Sequence, residues 1–454
     1  MLTVQTNADY SFASFWPRVR EFAVPPSMIE TATARRQAGD WAGSCAAAGF
    51  DVDLDMRSVA RTYGRELAAD MQSDLRHLAP DLLRWHLPRV APDGLLRPGL
   101  TITLARYSWG AAGFVHLVVR TAPAWADAGQ RVSLALWDKA GATAGQHPHP
   151  RPDRRFRMDL HRHLWDARRA DELRGRCGAE PRADRSALDP ALLKIALPEH
   201  GYAVERWADE ARILLDSEER HTNTVLVRLG ARQRVIAELE PAGLRIATGY
   251  PAGAVSALPV LPDAATWQSP DLELLRTGAI SPDRLHPMVA AALVPEYSPR
   301  DSVRVSLPGE RTQVVECRGE QHRIGLVDGV LSALDHDPAE IRREELLAAL
   351  TGAPVPCLQA IDHAHRQPDC LAGVRERLAH GDTAGALAVV EGLLGPQAIL
   401  RDGALRDELA ATAQQRITYG LYRSGLSTPQ LTPEYPGVRP PRNHRAHPRN
   451  ATRH

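Results

Sequence analysis

Three histidine pairs in this chain have a spacing that chemistry could use: His147/His149, His161/His163 and His363/His365. On a strand, residues two apart share a face, and two imidazoles there can hold a metal ion. Their contexts argue against it. His147-Pro148-His149 lies in a proline-rich stretch, and the other two pairs lie in segments read as helical, where residues two apart point about 200° apart. The helical spacing H-E-x-x-H is absent. Asp335-His336-Asp337 sets carboxylates beside a histidine, but helix capping accounts for Asp337. The five cysteines, Cys45, Cys177, Cys317, Cys357 and Cys370, are widely spaced with no C-x-x-C pair, so the local signatures of a zinc ribbon and a thioredoxin motif are missing. Asp51, Asp53 and Asp55 alternate as in a calcium loop, but Met56 and Thr62 stand where its glycine and glutamate belong. No metal and no cofactor are expected.

Nucleophilic and nucleotide signatures fail in the same way. Tyr107-Ser108-Trp109-Gly110 lacks the first glycine of a serine elbow. G-x-G-x-x-G is absent. Lys139 and Lys194 are the only lysines, and neither follows glycine, so no P-loop is present.

Arginine carries almost all the positive charge. The run Arg151, Arg154, Arg155, Arg157, Arg162, Arg168 and Arg169 is interleaved with Phe156 and Trp165, a mixture suited to phosphate contact and base stacking. Arg439, Arg442, Arg445 and Arg449 stand in a proline-rich C-terminal tail. The competing reading is an exposed helix whose arginines pair with Asp159, Asp166, Asp171 and Glu172, followed by a solubilising tail. With 55 basic and 55 acidic residues the formal net charge is zero, so any nucleic-acid contact would be local.

Patterning places these residues on elements. Leu67, Met71, Leu75 and Leu78 recur at helical spacing, within a stretch read as helical from Ser27 to Arg89. Strands are expected at Leu100–Leu104, Phe114–Val119 and Arg131–Trp137, then at Thr224–Leu229, Arg234–Leu239 and Leu244–Thr248. A third group is expected at Val303–Leu307, Gln313–Cys317 and His322–Val327. Residues 140–155 and Tyr250–Pro262 read as linkers, and Met158–Arg176 as a helix. From Asp337 the chain reads as helical to Gly425. Gly39-Asp40 and Gly381-Asp382 head similar segments, which suggests a repeated helix-loop-helix unit.

The expected fold class is α+β, with helical units near both ends around a middle of short antiparallel strands and helices. Five regions follow: a mainly helical 1–95, an α+β 96–260, a small helix and meander region 261–335, a helical 336–426 and a disordered tail 427–454. An odd number of widely spaced cysteines, the absence of a long apolar run and a charged N-terminal stretch point to a cytoplasmic protein without a membrane span. Three functions remain. The first is a protein-interaction or accessory role without catalysis. The second is nucleic-acid binding through 151–169 and the tail. The third is an enzyme whose site is assembled from distant residues.

Overall fold

The computed structural model describes residues 15–426, apart from 111–112, 140–146, 181–188, 196–200, 219–221, 231–232, 242, 248, 298–312, 318 and 353. The protein is a mixed α and β fold with several small sheets, as the patterning predicts. Its strands are β1 (Phe50–Val52), β2 (Arg89–Val90), β3 (Leu95–Leu96), β4 (Thr101–Trp109), β5 (Gly113–Thr121), β6 (Val132–Asp138), β7 (Thr224–Arg228), β8 (Arg234–Glu240), β9 (Gly243–Ile246), β10 (Gln313–Cys317), β11 (Glu320–Val327) and β12 (Val330–Ala333). The chain divides into two compact units, Met1–Ser298 with Arg423–His454, and Pro299–Tyr422.

The first unit centres on the sheet β1-β6-β5-β4, in which β4, β5 and β6 form an antiparallel meander and β1 joins β6 in parallel. Ile102, Leu104, Val115, Leu117, Val119 and Leu134 are fully buried in one cluster with Leu67, Met71 and Leu75 of the helix Arg65–His77. That helix buries the face its four-residue spacing defines. The same cluster takes in Phe50, Trp165 and Val289. The parallel pairing of β1 with β6 ties the helical start of the chain to the sheet. A second cluster forms around Trp207 of the helix Trp207–Ser217, against β7, β8 and β9.

Two local expectations are overturned. Met158–Arg176 is not a helix but a run of 3-10 turns, Met158–Leu160, Arg162–Leu164 and Ala170–Glu172, with only Leu173–Arg176 α-helical. The backbone is drawn into tertiary hydrogen bonds instead: Ala79 N–H donates to Trp165 O at 2.8 Å, and Ala167 N–H to His77 O at 2.9 Å. Such partners satisfy groups that helix formation would otherwise claim. Tyr250–Pro262 is not a free linker either. Ala252–Ala257 is a 3-10 helix, and Leu226 donates to Pro259 O at 2.8 Å while its own carbonyl accepts from Leu261 at 2.9 Å.

In the second unit, β10, β11 and β12 form an antiparallel meander against which the helix Pro356–Arg366 packs. The helices Pro338–Thr351, Leu371–His380, Thr383–Leu394 and Ala404–Arg423 complete the helical region the sequence predicts. The echoed dipeptides are the same cap. Asp40 accepts from Gly43 N–H at 2.8 Å and Asp382 from Gly385 N–H at 2.9 Å, each after a left-handed glycine. A strand follows the first capped helix and a further helix the second, so the likeness is local. The expected strand Val303–Leu307 and the tail 427–454 lie outside the described residues.

Candidate functional site

The segment 151–157 runs along β4. Asp153 N–H donates to Thr101 O at 2.8 Å, and Arg157 makes a parallel bridge to Thr103. This lays the arginines beside the sheet rather than around a helix. The β7–β8 hairpin approaches the same segment and sets Arg228 directly opposite Arg234. Like charges opposed across a strand pair are destabilising unless something neutralises them. Among the described residues no carboxylate lies within ion-pair distance of Arg151, Arg228 or Arg234.

These three line one hollow of about 570 Å³ with Arg154 and Arg155, against a single carboxylate, Asp153. Arg155 is held by Asp263, with Nε to Oδ1 at 3.0 Å and Nη2 to Oδ2 at 2.6 Å. Arg154 donates to Ser256 O at 2.8 Å and to Leu258 O. Burial and then the Arg155 charge lower the Arg228 pKa, and the same two causes bring Arg97 down to about 10. Crowded guanidinium groups of this kind favour an anion.

Beyond 151–154 lies a second hollow of about 320 Å³. Its floor is the outer face of the meander, where Arg106, His116 and Trp137 stand opposite one another on β4, β5 and β6. His116 meets Trp137 edge to face at 5.1 Å, and the Arg106 guanidinium lies 5.0 Å from the Phe114 ring. Burial pushes His116 down to about 4, so at neutral pH it is an uncharged ring. Phe114 is 41% exposed, which leaves its ring open to a stacking partner.

The residues singled out in the sequence separate into two groups. Arg154, Arg155 and Arg157 border the hollows. Arg162 and Arg168 instead share Asp166, at 3.0 and 2.8 Å, and both also reach Asp74. Arg169 pairs with Glu172 at 2.6 Å. Trp165 is fully buried, donates to Met158 O at 2.9 Å and cannot stack on a base. The stacking expectation at Trp165 is thereby corrected: the tertiary hydrogen bonds that prevent a helix turn this ring into the core. Arg439, Arg442, Arg445 and Arg449 lie outside the described residues. Sequence reading missed Arg106, Phe114, His116, Trp137, Arg228 and Arg234. The alternation of the three predicted strands was the signal that could have shown the outward face of the first four.

A cavity of about 110 Å³ is the place where distant residues could assemble an enzyme site. His86, His163 and Cys177 line it. His86 Nδ1 faces Leu82 O at 3.0 Å and Leu164 O at 3.2 Å, and so carries the proton. Burial pushes His86 down to about 4 and His163 well below its usual value. Burial also raises the Cys177 pKa, and its Sγ donates to Arg174 O at 3.4 Å. A thiol held protonated on a carbonyl is not an activated nucleophile. No helix among the described residues is long and apolar enough to cross a membrane. Comparison of the chain with protein-family models, with curated proteins and with solved structures gives no match.

Proposed function

We propose that the first unit binds single-stranded nucleic acid, with its phosphates in the arginine hollow and its bases against the outer face of the meander. One observation carries this reading: Arg151, Arg228 and Arg234, from three separated positions, line one hollow without carboxylate partners among the described residues. Phosphate contact supplies affinity, and aromatic rings supply sequence-tolerant stacking. The adjoining Phe114, His116 and Trp137 fit the second role. Fluorescence anisotropy of labelled RNA and DNA homopolymers, single-stranded and duplex, tests it. Salt-sensitive binding that prefers single strands supports the reading; absent or salt-independent binding overturns it.

A second reading, an accessory role through protein contact, is favoured by the helix Pro338–Thr351. Leu346, Leu347 and Leu350 are 64, 49 and 86% exposed there. An exposed apolar stripe of this kind suits the apolar face of another protein. Loss of a co-purifying protein on Leu346→Ser/Leu350→Ser would support it, and an unchanged set of partners would oppose it. In either case we place the protein in the cytoplasm. The five cysteines are all unbonded, as a reducing compartment keeps them.

A further inference from the structure

The second unit brings together three residues that the sequence holds far apart. Cys317 ends β10, His336 lies between β12 and the helix Pro338–Thr351, and Cys357 is in the first turn of the helix Pro356–Arg366. Packing of that last helix on the meander closes the set. One ligand atom from each residue lies within 4.8 Å of those of the other two. Cys317 and Cys357 are 1% and 0% exposed.

We infer that Cys317, His336 and Cys357 bind one divalent cation of the zinc class. The chemistry of the donors selects that class, because two thiolates and an imidazole suit zinc and repel calcium or magnesium, which take oxygen. The geometry agrees. With Zn–S near 2.3 Å and Zn–N near 2.05 Å, a tetrahedral S···N edge is about 3.5 Å. Cys357 Sγ and His336 Nε2 are 3.5 Å apart. From at most 4.8 Å, the Cys317–Cys357 sulfurs need a shift of about 1 Å or less to reach an S···S edge of about 3.8 Å, and Cys317 Sγ and the His336 nitrogen about 1.3 Å or less to reach about 3.5 Å.

The surroundings fit a metal-binding imidazole. His336 turns Nε2 towards the thiol and Nδ1 towards Glu340, whose Oε2 is 3.9 Å away. A carboxylate behind a ligating histidine fixes its tautomer and orientation. The His322 ring stacks on His336 at 4.1 Å, which holds the ligating ring in place. Binding is balanced by loss of one proton from each cysteine to solvent, with no redox change. The expectation of no metal rested on local spacings, those of the histidine pairs, C-x-x-C, H-E-x-x-H and the calcium loop, whereas the inferred site draws on residues that only folding brings together.

The test uses the full chain, purified under reducing conditions without chelator and without added metal. Elemental analysis should find on the order of one zinc per chain. Cys317→Ser/Cys357→Ser should lose at least about tenfold of it, as expected when ligands are removed, while Cys45→Ser/Cys370→Ser keeps it. Because the double variant could unfold the unit, the chelated wild-type protein is also titrated with Co(II). A thiolate-to-cobalt charge-transfer band with tetrahedral ligand-field bands should appear and disappear on adding zinc. Absence of both zinc and the cobalt spectrum overturns the inference. So does a Cys317–Cys357 disulfide trapped by alkylation at lysis.

Discussion

Arg151→Ala isolates one charge of the arginine hollow. Arg151 is exposed and makes no ion pair among the described residues, so its removal should change stability by no more than about 0.5 kcal/mol. Each phosphate neutralised on a single strand contributes about −0.7 to the slope of log affinity against log salt. Three cations, Arg151, Arg228 and Arg234, give a slope of about −2.1, a loss of about 20-fold in affinity between about 50 and 200 mM salt. Without Arg151 the slope becomes about −1.4 and the loss about sevenfold. The assay is anisotropy of a labelled single strand at four salt concentrations, with Arg169→Ala as control, since Arg169 pairs with Glu172 and borders neither hollow. Any contribution of the tail arginines is common to both proteins and cancels in the difference. A wild-type slope near zero would refute the reasoning. An unchanged slope in the combined Arg151→Ala/Arg228→Ala/Arg234→Ala variant would do the same.

Three further outcomes follow from the first unit. Asp271→Ala strands Arg20, a buried cation held at 2.7 and 3.0 Å, and removes the acceptor of Trp85 Nε1; urea unfolding should show a loss of about 3–5 kcal/mol. Trp165→Ala empties a fully buried site and should cost about 3–5 kcal/mol while leaving the salt slope of binding unchanged; a changed slope would return Trp165 to the interface. The unfolded chain protonates His86 near pH 6.5, but the buried ring does so only at about 4, so stability is lost as pH falls through that window, by about 3 kcal/mol. His86→Gln should flatten this part of the stability–pH curve, and an unchanged slope would show that the ring is accessible to protons when folded.

Much of the local structure was legible. The strand pairs of all three meanders lie where alternation put them, except for β12 and the expected Val303–Leu307, which lies outside the described residues. Asp40, Asp189, Asp337 and Asp382 each cap a helix through their side chains. These features depend on residues within a few positions of one another, so the sequence displays them directly. The helix expected over Met158–Arg176 does not form because its backbone is hydrogen-bonded to Ala79 and His77 instead. The site was less legible for the same kind of reason. An arginine declares its charge in the sequence, but whether that charge is spent depends on which carboxylate the fold delivers.

Arg155 and Arg151 illustrate the division. They are four residues apart and chemically identical, yet Asp263 neutralises the first and no described carboxylate reaches the second. Composition, periodicity and capping determined the mixed fold, the helical ends and the absence of any contiguous catalytic signature. Tertiary structure alone decided which cations remain available and which ring lies in the core. It also decided that Cys317, His336 and Cys357 meet. Local pattern fixes an element because its hydrogen bonds close within a turn or between neighbouring strands. A site of long-range contacts forms only when distant elements pack, and no spacing rule encodes that packing.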